Sequence, residues 1–272
     1  MKRTGISKKF NEFIALTIRE NKISFMNLKL ILKSLHFSFR SYIRRERNIA
    51  SEVYNYESLF FIKKEDPIAF LESCRKNPAA FAPGIRDEVS KLREKFNVSF
   101  LETLEIGSGP NSNLSYWVDK KLIKVTAIDP LADIYKRMMK KLKYTYPIVP
   151  IKLKGEDLLE AFKKESFHII FAQNSLDHAE NPLKCFKNGY QLLKKGGFFF
   201  VCSNTREGSR KSWTGMHKYD IYVENNELFL ENQKGEVFKF IDNNNISMDF
   251  IFYEEYHKWN VPSFEAVFRK IR

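Results

Sequence analysis

The sequence predicts an α/β fold around a mostly parallel sheet, and three observations lead to this prediction. From about residue 98, short apolar runs of strand length alternate with segments of helical periodicity. Two of these runs end in turns that carry glycine or aspartate, as parallel strands do where a ligand binds. Hydrophobic residues make up 43% and aromatic residues 15% of the 272-residue chain, which is enough to bury a core.

The individual elements follow from the period of the apolar residues. Apolar runs predict five strands, which lie at 100–106, 122–128, 147–153, 167–173 and 198–202. Helical spacing predicts helices between them at 112–119, 132–142, 156–163 and 182–194, the last of which is expected to end at a glycine C-cap. A hairpin turning at Asn225-Asn226, a third strand at 237–241 and final strands at 248–253 and 264–270 complete the pattern.

Two domains are expected. Residues 1–97 have helical periodicity and predict an N-terminal cap, while residues 98–272 form the sheet domain, with a β-rich insertion at about 205–245. The chain has a net charge of +13, and residues 1–50 contribute +9 of it from twelve basic and three acidic residues. This basic segment favours a cap whose charged face lies in water, although an anionic membrane or a nucleic acid remains an alternative partner.

Several classes of protein are excluded by the sequence. No apolar window approaches 18 residues, so we expect no transmembrane segment. The three cysteines, Cys74, Cys185 and Cys202, form no closely spaced pair, which favours the cytoplasm and argues against a disulfide framework or a structural zinc site. His36 and His168 lack companions at metal-ligand spacing, as does His257, so no metal is expected.

The most informative segment is the turn after the first predicted strand. Gly107 and Gly109 allow the backbone to approach a ligand closely, and the following helix presents free N–H groups. Asp129 ends the second predicted strand, where a carboxylate can accept hydrogen bonds from both ribose hydroxyls of a nucleoside. A dinucleotide and S-adenosylmethionine both fit these two features.

Glu105, two residues before Gly107, and the stretch after the fourth predicted strand distinguish the two cofactors. With them, residues 100–203 resemble the class I S-adenosylmethionine-dependent methyltransferases, in particular the type 11 group. The resemblance implies a Rossmann-like fold with a mostly parallel seven-stranded sheet and a C-terminal antiparallel hairpin. One departure is Phe167-His168, where the group usually has Phe-Asp before the fourth strand.

The resemblance also implies which residues bind S-adenosyl-L-methionine. Its cofactor-binding positions correspond to Glu105, Gly107, Ser108, Gly109, Asp129, Pro130, Glu156, Asp157 and Asn174. The glycine turn would hold the methionine part and Asp129 the ribose. Glu156 or Asp157 would contact the adenine, and Glu156 is the preferred candidate.

A hydroxyl acceptor must lose a proton during methyl transfer, so a general base is expected beside the methyl group. Asp177 and His178 follow the fourth predicted strand, and His217 lies in the insertion, where type 11 relatives often carry a histidine. Imidazole titrates near neutral pH, which suits a base. The two histidines are equal candidates at this stage.

The sequence therefore predicts an enzyme that methylates oxygen or nitrogen of a small molecule, a sugar or a nucleotide-linked precursor, with an anionic acceptor favoured by the basic segment. Relatives of this kind include bacterial enzymes of surface polysaccharide modification. An RNA methyltransferase is the first alternative, but nucleic acid is disfavoured because Asn174 is not followed by the Pro-Pro-aromatic motif that serves planar amino groups. An inactive cofactor-binding scaffold is the second.

Overall fold

The computed structural model of the chain describes Glu72 and residues 83–145, 147–241, 246–258 and 261–272. The basic segment 1–50 and most of the predicted N-terminal cap lie outside the described residues. The described part of the cap region includes one long helix, α1, at Pro83–Phe96. The two-domain division therefore remains a prediction.

The core of the described chain is a six-stranded sheet. Its strands are β1 (Leu101–Ile106), β2 (Ile123–Ile128), β3 (Phe167–Gln173), β4 (Leu193–Asn204), β8 (Met248–Lys258) and β9 (Val261–Lys270). Their order is β2-β1-β3-β4-β9-β8. The first four strands are parallel, whereas β9 runs antiparallel to both β4 and β8. The predicted Rossmann-like fold with a C-terminal antiparallel hairpin is confirmed.

Helices connect the parallel strands and cover both faces of the sheet. They are α2 (Ser115–Asp119), α3 (Ala132–Leu142), α4 (Leu158–Ala161) and α5 (Pro182–Leu192), with 3-10 turns at Gly155–Asp157 and Leu176–His178. A short helix, α6 (Glu207–Arg210), lies in the insertion after β4. Along β4, Phe198 and Phe200 face α1 and α2, while Phe199 faces α5. This alternation places a separate apolar core on each face. No described helix is long and apolar enough to span a membrane.

The predicted strand at 147–153 does not form. In its place the structure has one parallel bridge, between Ile151 and Ile128 at the outer edge of β2. Pro147 and Pro150 have no backbone N–H group and so cannot complete a ladder. The sheet therefore has six full strands, and the single bridge occupies the place of the predicted seventh.

The boundary between α5 and β4 also differs from the prediction. Helix α5 ends at Leu192, because Leu193 already pairs with Phe167 of β3. The glycine expected to cap the helix, Gly196, has a φ of +79° and lies within β4. Pairing with β3 thus ends the helix before the glycine is reached.

The insertion after β4 forms its own antiparallel sheet, as predicted. Its strands are β5 (Tyr219–Glu224), β6 (Glu227–Asn232) and β7 (Val237–Lys239), in the order β5-β6-β7. Ile221 and Leu228 pack into the same apolar core as α5. The insertion is therefore attached to the sheet domain by shared core packing.

Phe186 of α5 connects several parts of this core. Its ring is fully buried, stacks on Phe199 with centroids 4.4 Å apart, and meets Phe240 and Phe268 edge-on at 5.3 and 5.9 Å. Aromatic pairs at these separations add to the free energy gained by burial. The side chain thus joins α5 to β4, to β9 and to the insertion.

We predict that Phe186→Ala lowers the free energy of unfolding by about 3–5 kcal/mol, because a large ring is removed from a closed core. Denaturant titration followed by circular dichroism measures this change. The control is Phe100→Ala, whose ring is 42% exposed and whose removal should cost less than about 1 kcal/mol. Equal losses in the two variants would contradict the role given to Phe186.

Candidate active site

The turn after β1 requires glycine at its first position. Gly107 has a φ of +70° and Gly109 a φ of +64°, a backbone region that other residues rarely adopt. A Cβ atom at position 107 would lie 2.3 Å from the Cβ of Ser175. Ser175 also donates a hydrogen bond of 2.7 Å to the carbonyl of Ile106. The turn after β1 and the loop after β3 are therefore in direct contact.

Glu105, the next-to-last residue of β1, fixes the segment that follows the glycine turn by hydrogen bonds. Its side chain is completely buried and accepts hydrogen bonds from the Ser112 hydroxyl at 2.5 Å and from the backbone and side-chain nitrogens of Asn113 at 3.0 and 3.1 Å. Burial raises the pKa of Glu105 to about 7, the hydrogen bonds oppose this rise, and the nearby charge of Asp129 adds to it. Near neutral pH a cation close by would favour the ionised form.

Asp129 connects the ends of β1 and β2. It is buried, and its two carboxylate oxygens accept hydrogen bonds from the backbone N–H groups of Gly109 at 3.0 Å and Leu131 at 2.7 Å. The next residue, Pro130, is exposed. One carboxylate thus fixes the glycine turn relative to the second strand.

Glu105 and Asp129 offer oxygen atoms that can accept the hydrogen bonds of S-adenosylmethionine. Ribose hydroxyls and the methionine ammonium group need acceptors, and Glu105 and Asp129 provide carboxylates at adjacent strand ends. Asn111, which the sequence pattern does not single out, has a buried Oδ1 atom with no hydrogen-bond partner among the described residues. Such an atom is rare without a ligand or water. The Ser108 hydroxyl instead bonds the carbonyl of Gly109 at 3.2 Å.

The adenine-side candidates differ in their contacts. Glu156 Oε1 accepts hydrogen bonds from the backbone N–H groups of Glu180 and Asn181 at 2.8 and 3.0 Å, next to the start of α5. Asp157 is half-buried, and its carboxylate has no hydrogen bond within the described ranges. The structure therefore gives Glu156 a loop-fixing contact and leaves the Asp157 carboxylate more available for a ligand.

Asn174 joins the ends of β3 and β4. It has a φ of +45°, and its Oδ1 atom accepts a 2.8 Å hydrogen bond from the backbone nitrogen of Asn204. The residue is exposed at the same sheet edge as the glycine turn. Its observed role is to hold two strand ends together.

The structure brings the three proposed catalytic residues together. Asp177 Oδ2 lies 2.7 Å from His217 Nδ1 and 3.5 Å from His178 Nε2, and the two imidazole nitrogens lie 3.1 Å apart. Since an ionised carboxylate only accepts hydrogen bonds, His217 Nδ1 carries the proton and donates to Asp177. The remaining nitrogen of a neutral His217 ring, Nε2, is then the basic one.

Asp177 keeps its charge despite complete burial. Burial by itself raises the pKa of Asp177, but the nearby imidazole of His178 and the hydrogen bond from His217 outweigh it, and the pKa falls below its usual value. The two imidazoles are about one quarter exposed, at 22% for His178 and 25% for His217. A buried anion thus supports two rings that remain partly accessible.

Backbone and side-chain contacts hold the insertion against the loop after β3. Lys218 donates its backbone N–H to the carbonyl of Asp177 at 3.1 Å, and the Tyr219 hydroxyl donates to the carbonyl of Glu180 at 3.0 Å. His217 is therefore fixed beside Asp177, although the two lie 40 residues apart in the sequence.

We predict that Glu105→Gln removes a pH dependence of stability. Folding raises the pKa of Glu105 from 4.5 to about 7. Between pH 4.5 and pH 7 the folded state therefore binds more protons at Glu105 than the unfolded state does. The free energy of unfolding of the wild-type protein consequently falls as the pH rises. Between pH 5 and pH 8 this loss should be about 2.5 kcal/mol. Urea titrations at both pH values measure it, and the control Glu160→Gln should retain the Glu105 contribution.

Comparison with known proteins identifies the central segment. Residues 104–201 match the model of a family described as "Methyltransferase domain". No curated protein matches the chain. Similar solved structures include 1,6-didemethyltoxoflavin-N1-methyltransferase from Burkholderia thailandensis, at 12% identity over 84% of this chain and 91% of that chain, with a TM-score of 0.44.

Two further structures show similarity at the same level. The N-methyltransferase NodS from Bradyrhizobium japonicum is 15% identical over 75% of this chain and 98% of that one, with a TM-score of 0.43. A possible histamine N-methyltransferase from Thermotoga maritima is 17% identical over 70% and 89%, also with a TM-score of 0.43. At such scores these proteins say nothing about the acceptor of this chain.

The family match runs from β1 to β4. It therefore contains the glycine turn, both acidic strand ends and the loop that carries Asp177. The segment from β1 to β4 is therefore a methyltransferase domain.

Proposed function

We propose that this enzyme methylates a hydroxyl group of a small, anionic acceptor such as a sugar or a nucleotide-linked sugar precursor. The observation that carries the proposal is the 2.7 Å hydrogen bond between Asp177 Oδ2 and His217 Nδ1. A hydroxyl is a weak nucleophile until it loses its proton, and a histidine oriented by a carboxylate is suited to remove that proton. The charge of +9 on residues 1–50 favours an anionic acceptor.

The cofactor would be held by the turn after β1 and the end of β2. In this assignment Glu105 and Asn111 face the methionine part, Asp129 the ribose and Asp157 the adenine. When bound, S-adenosylmethionine supplies a methyl group already activated by a sulfonium. The protein then has to orient the acceptor and remove the proton of its hydroxyl group.

The proposed base lies close to this cofactor site. Asp177 is two residues after Ser175, which contacts the glycine turn. His217 Nε2 takes the proton of the acceptor hydroxyl, and the carboxylate of Asp177 stabilises the resulting imidazolium. His178 lies farther from Asp177, at 3.5 Å, so we assign it a positioning role and His217 the role of base.

We predict that Asp129→Ala weakens S-adenosylmethionine binding at least about tenfold, because hydrogen bonds to a charged group contribute about 1.5–3 kcal/mol. Isothermal titration calorimetry gives the dissociation constant. The matched control is Asp133→Ala, which removes an exposed carboxylate from the first turn of α3. Equal affinities of the two variants would refute the placement of the cofactor at Asp129.

We further predict that His217→Gln lowers kcat at least about 100-fold, the usual contribution of a general base. Its affinity for S-adenosylmethionine should stay within about threefold of wild type. The assay follows S-adenosylhomocysteine formation with a panel of nucleotide-linked sugars, with RNA and a neutral sugar for comparison. Full activity of the variant excludes His217 as base, and turnover with RNA alone excludes the proposed acceptor class.

A further inference from the structure

Three donor atoms converge between the loop after β3 and the insertion. Asp177 Oδ2, His217 Nδ1 and His178 Nε2 form a triangle with sides of 2.7, 3.1 and 3.5 Å. Two of the atoms are imidazole nitrogens and one is a carboxylate oxygen. These donor types are those that zinc and related divalent metals prefer in proteins.

Hydrogen bonding can satisfy this triangle in one way only, with the single Nδ1 proton of His217 shared between Asp177 Oδ2 and His178 Nε2. With its proton on Nδ1, His217 donates to Asp177, while the 3.5 Å separation between His178 Nε2 and Asp177 is too long for a good hydrogen bond. If His178 also carried a proton on Nε2, two N–H groups would face each other at 3.1 Å. A single cation in the middle would satisfy all three donor atoms at once.

The carboxylate provides a second, independent indication. Asp177 is 2% exposed, and its other oxygen, Oδ1, is buried without a hydrogen-bond partner among the described residues. Leaving a buried carboxylate oxygen unsatisfied is costly, and such atoms are usually satisfied by a water or an ion. A metal ion beside the carboxylate would compensate its charge.

We propose that Asp177, His178 and His217 bind one divalent transition-metal ion of the zinc class. A point about 2.1 Å from all three donor atoms, the usual distance of zinc from nitrogen and oxygen ligands, lies about 1 Å from their plane. Donor atoms of a regular tetrahedral site lie about 3.4 Å apart, so Asp177 Oδ2 and His217 Nδ1 would have to separate by about 0.7 Å on binding the ion. Three protein ligands leave one position of a tetrahedral site open, and the partial exposure of both imidazoles provides access.

Metal binding would also regulate methyl transfer, a consequence that rests on the proposed function. Coordination through Nδ1 moves the proton of a neutral His217 ring to Nε2, by loss from one nitrogen and uptake from water at the other. Nε2 is the atom that acts as the base in the metal-free enzyme. The loaded enzyme consequently lacks its base, and zinc inhibits it.

The site is tested first by metal binding alone. Full-length protein is freed of metal with a chelator and dialysed, then titrated with Zn²⁺ by calorimetry and with Co²⁺ by visible absorption. We expect one ion per chain and a tetrahedral Co²⁺ spectrum. His178→Gln should weaken Zn²⁺ binding at least about 100-fold, since even changes outside the ligand shell cost 10- to 100-fold. Circular dichroism of the metal-free variant verifies its folding, and the matched control is Lys218→Gln, which keeps all three ligands.

The outcomes separate this inference from the proposed function. Absence of one-to-one binding, or equal affinity in wild type and His178→Gln, overturns the metal site whatever the turnover. Binding that depends on His178 supports it even if no acceptor is methylated. In the turnover assay, half-inhibition at the measured Zn²⁺ dissociation constant supports the regulatory role. Specific binding without inhibition overturns that role and the assignment of His217 as base, while the metal site stands.

Discussion

The contact between Gly107 and Ser175 is the constraint on which the site depends. Strands β1 and β3 run parallel and in register, with Ile106 paired to Ala172, so the turns that follow them meet at the same edge of the sheet. There is no room for a Cβ atom at position 107, and the left-handed backbone of Gly107 brings the two turns together. A side chain at this position would separate the proposed cofactor site from the loop that carries Asp177 and His178.

Glu105, Asp129 and Asp177 are buried carboxylates at this sheet edge, and different interactions stabilise each of them. Burial dominates for Glu105 and raises its pKa to about 7, despite three hydrogen bonds. Two backbone N–H groups hold Asp129. Asp177 is held by two imidazoles, and its pKa is lowered. A site that receives a cationic cofactor gains from carboxylates, because the ligand's charge then compensates part of their desolvation.

The insertion does more than enlarge the domain. It brings His217 to the loop after β3 and is fixed there by the Lys218 and Tyr219 hydrogen bonds and by its share of the apolar core. Arg206 stabilises the insertion by two interactions. Its guanidinium lies 3.5 Å from the centroid of the Tyr222 ring, as in a cation–π interaction, and forms an ion pair of 2.8 Å with Glu231. The proposed base and the proposed metal site both depend on this attachment.

The sequence by itself determined the α/β class, the position of the glycine turn and the acidic strand ends, because these depend on local periodicity and on residue types at short spacing. The same local reasoning was wrong for the strand at 147–153 and for the end of α5, where missing N–H groups and pairing of Leu193 with Phe167 decided the outcome. It also did not select Asn111, although the polar run after the glycine turn was a possible signal.

Only the tertiary structure decided how Asp177, His178 and His217 are arranged. Asp177 and His217 are 40 residues apart, and no spacing rule along the chain predicts a 2.7 Å contact across that distance. The contact arises because the insertion packs on the core beside β3. For the same physical reason, spacing alone gave no sign of a metal site, while the folded chain brings three donor atoms to within 3.5 Å of one another.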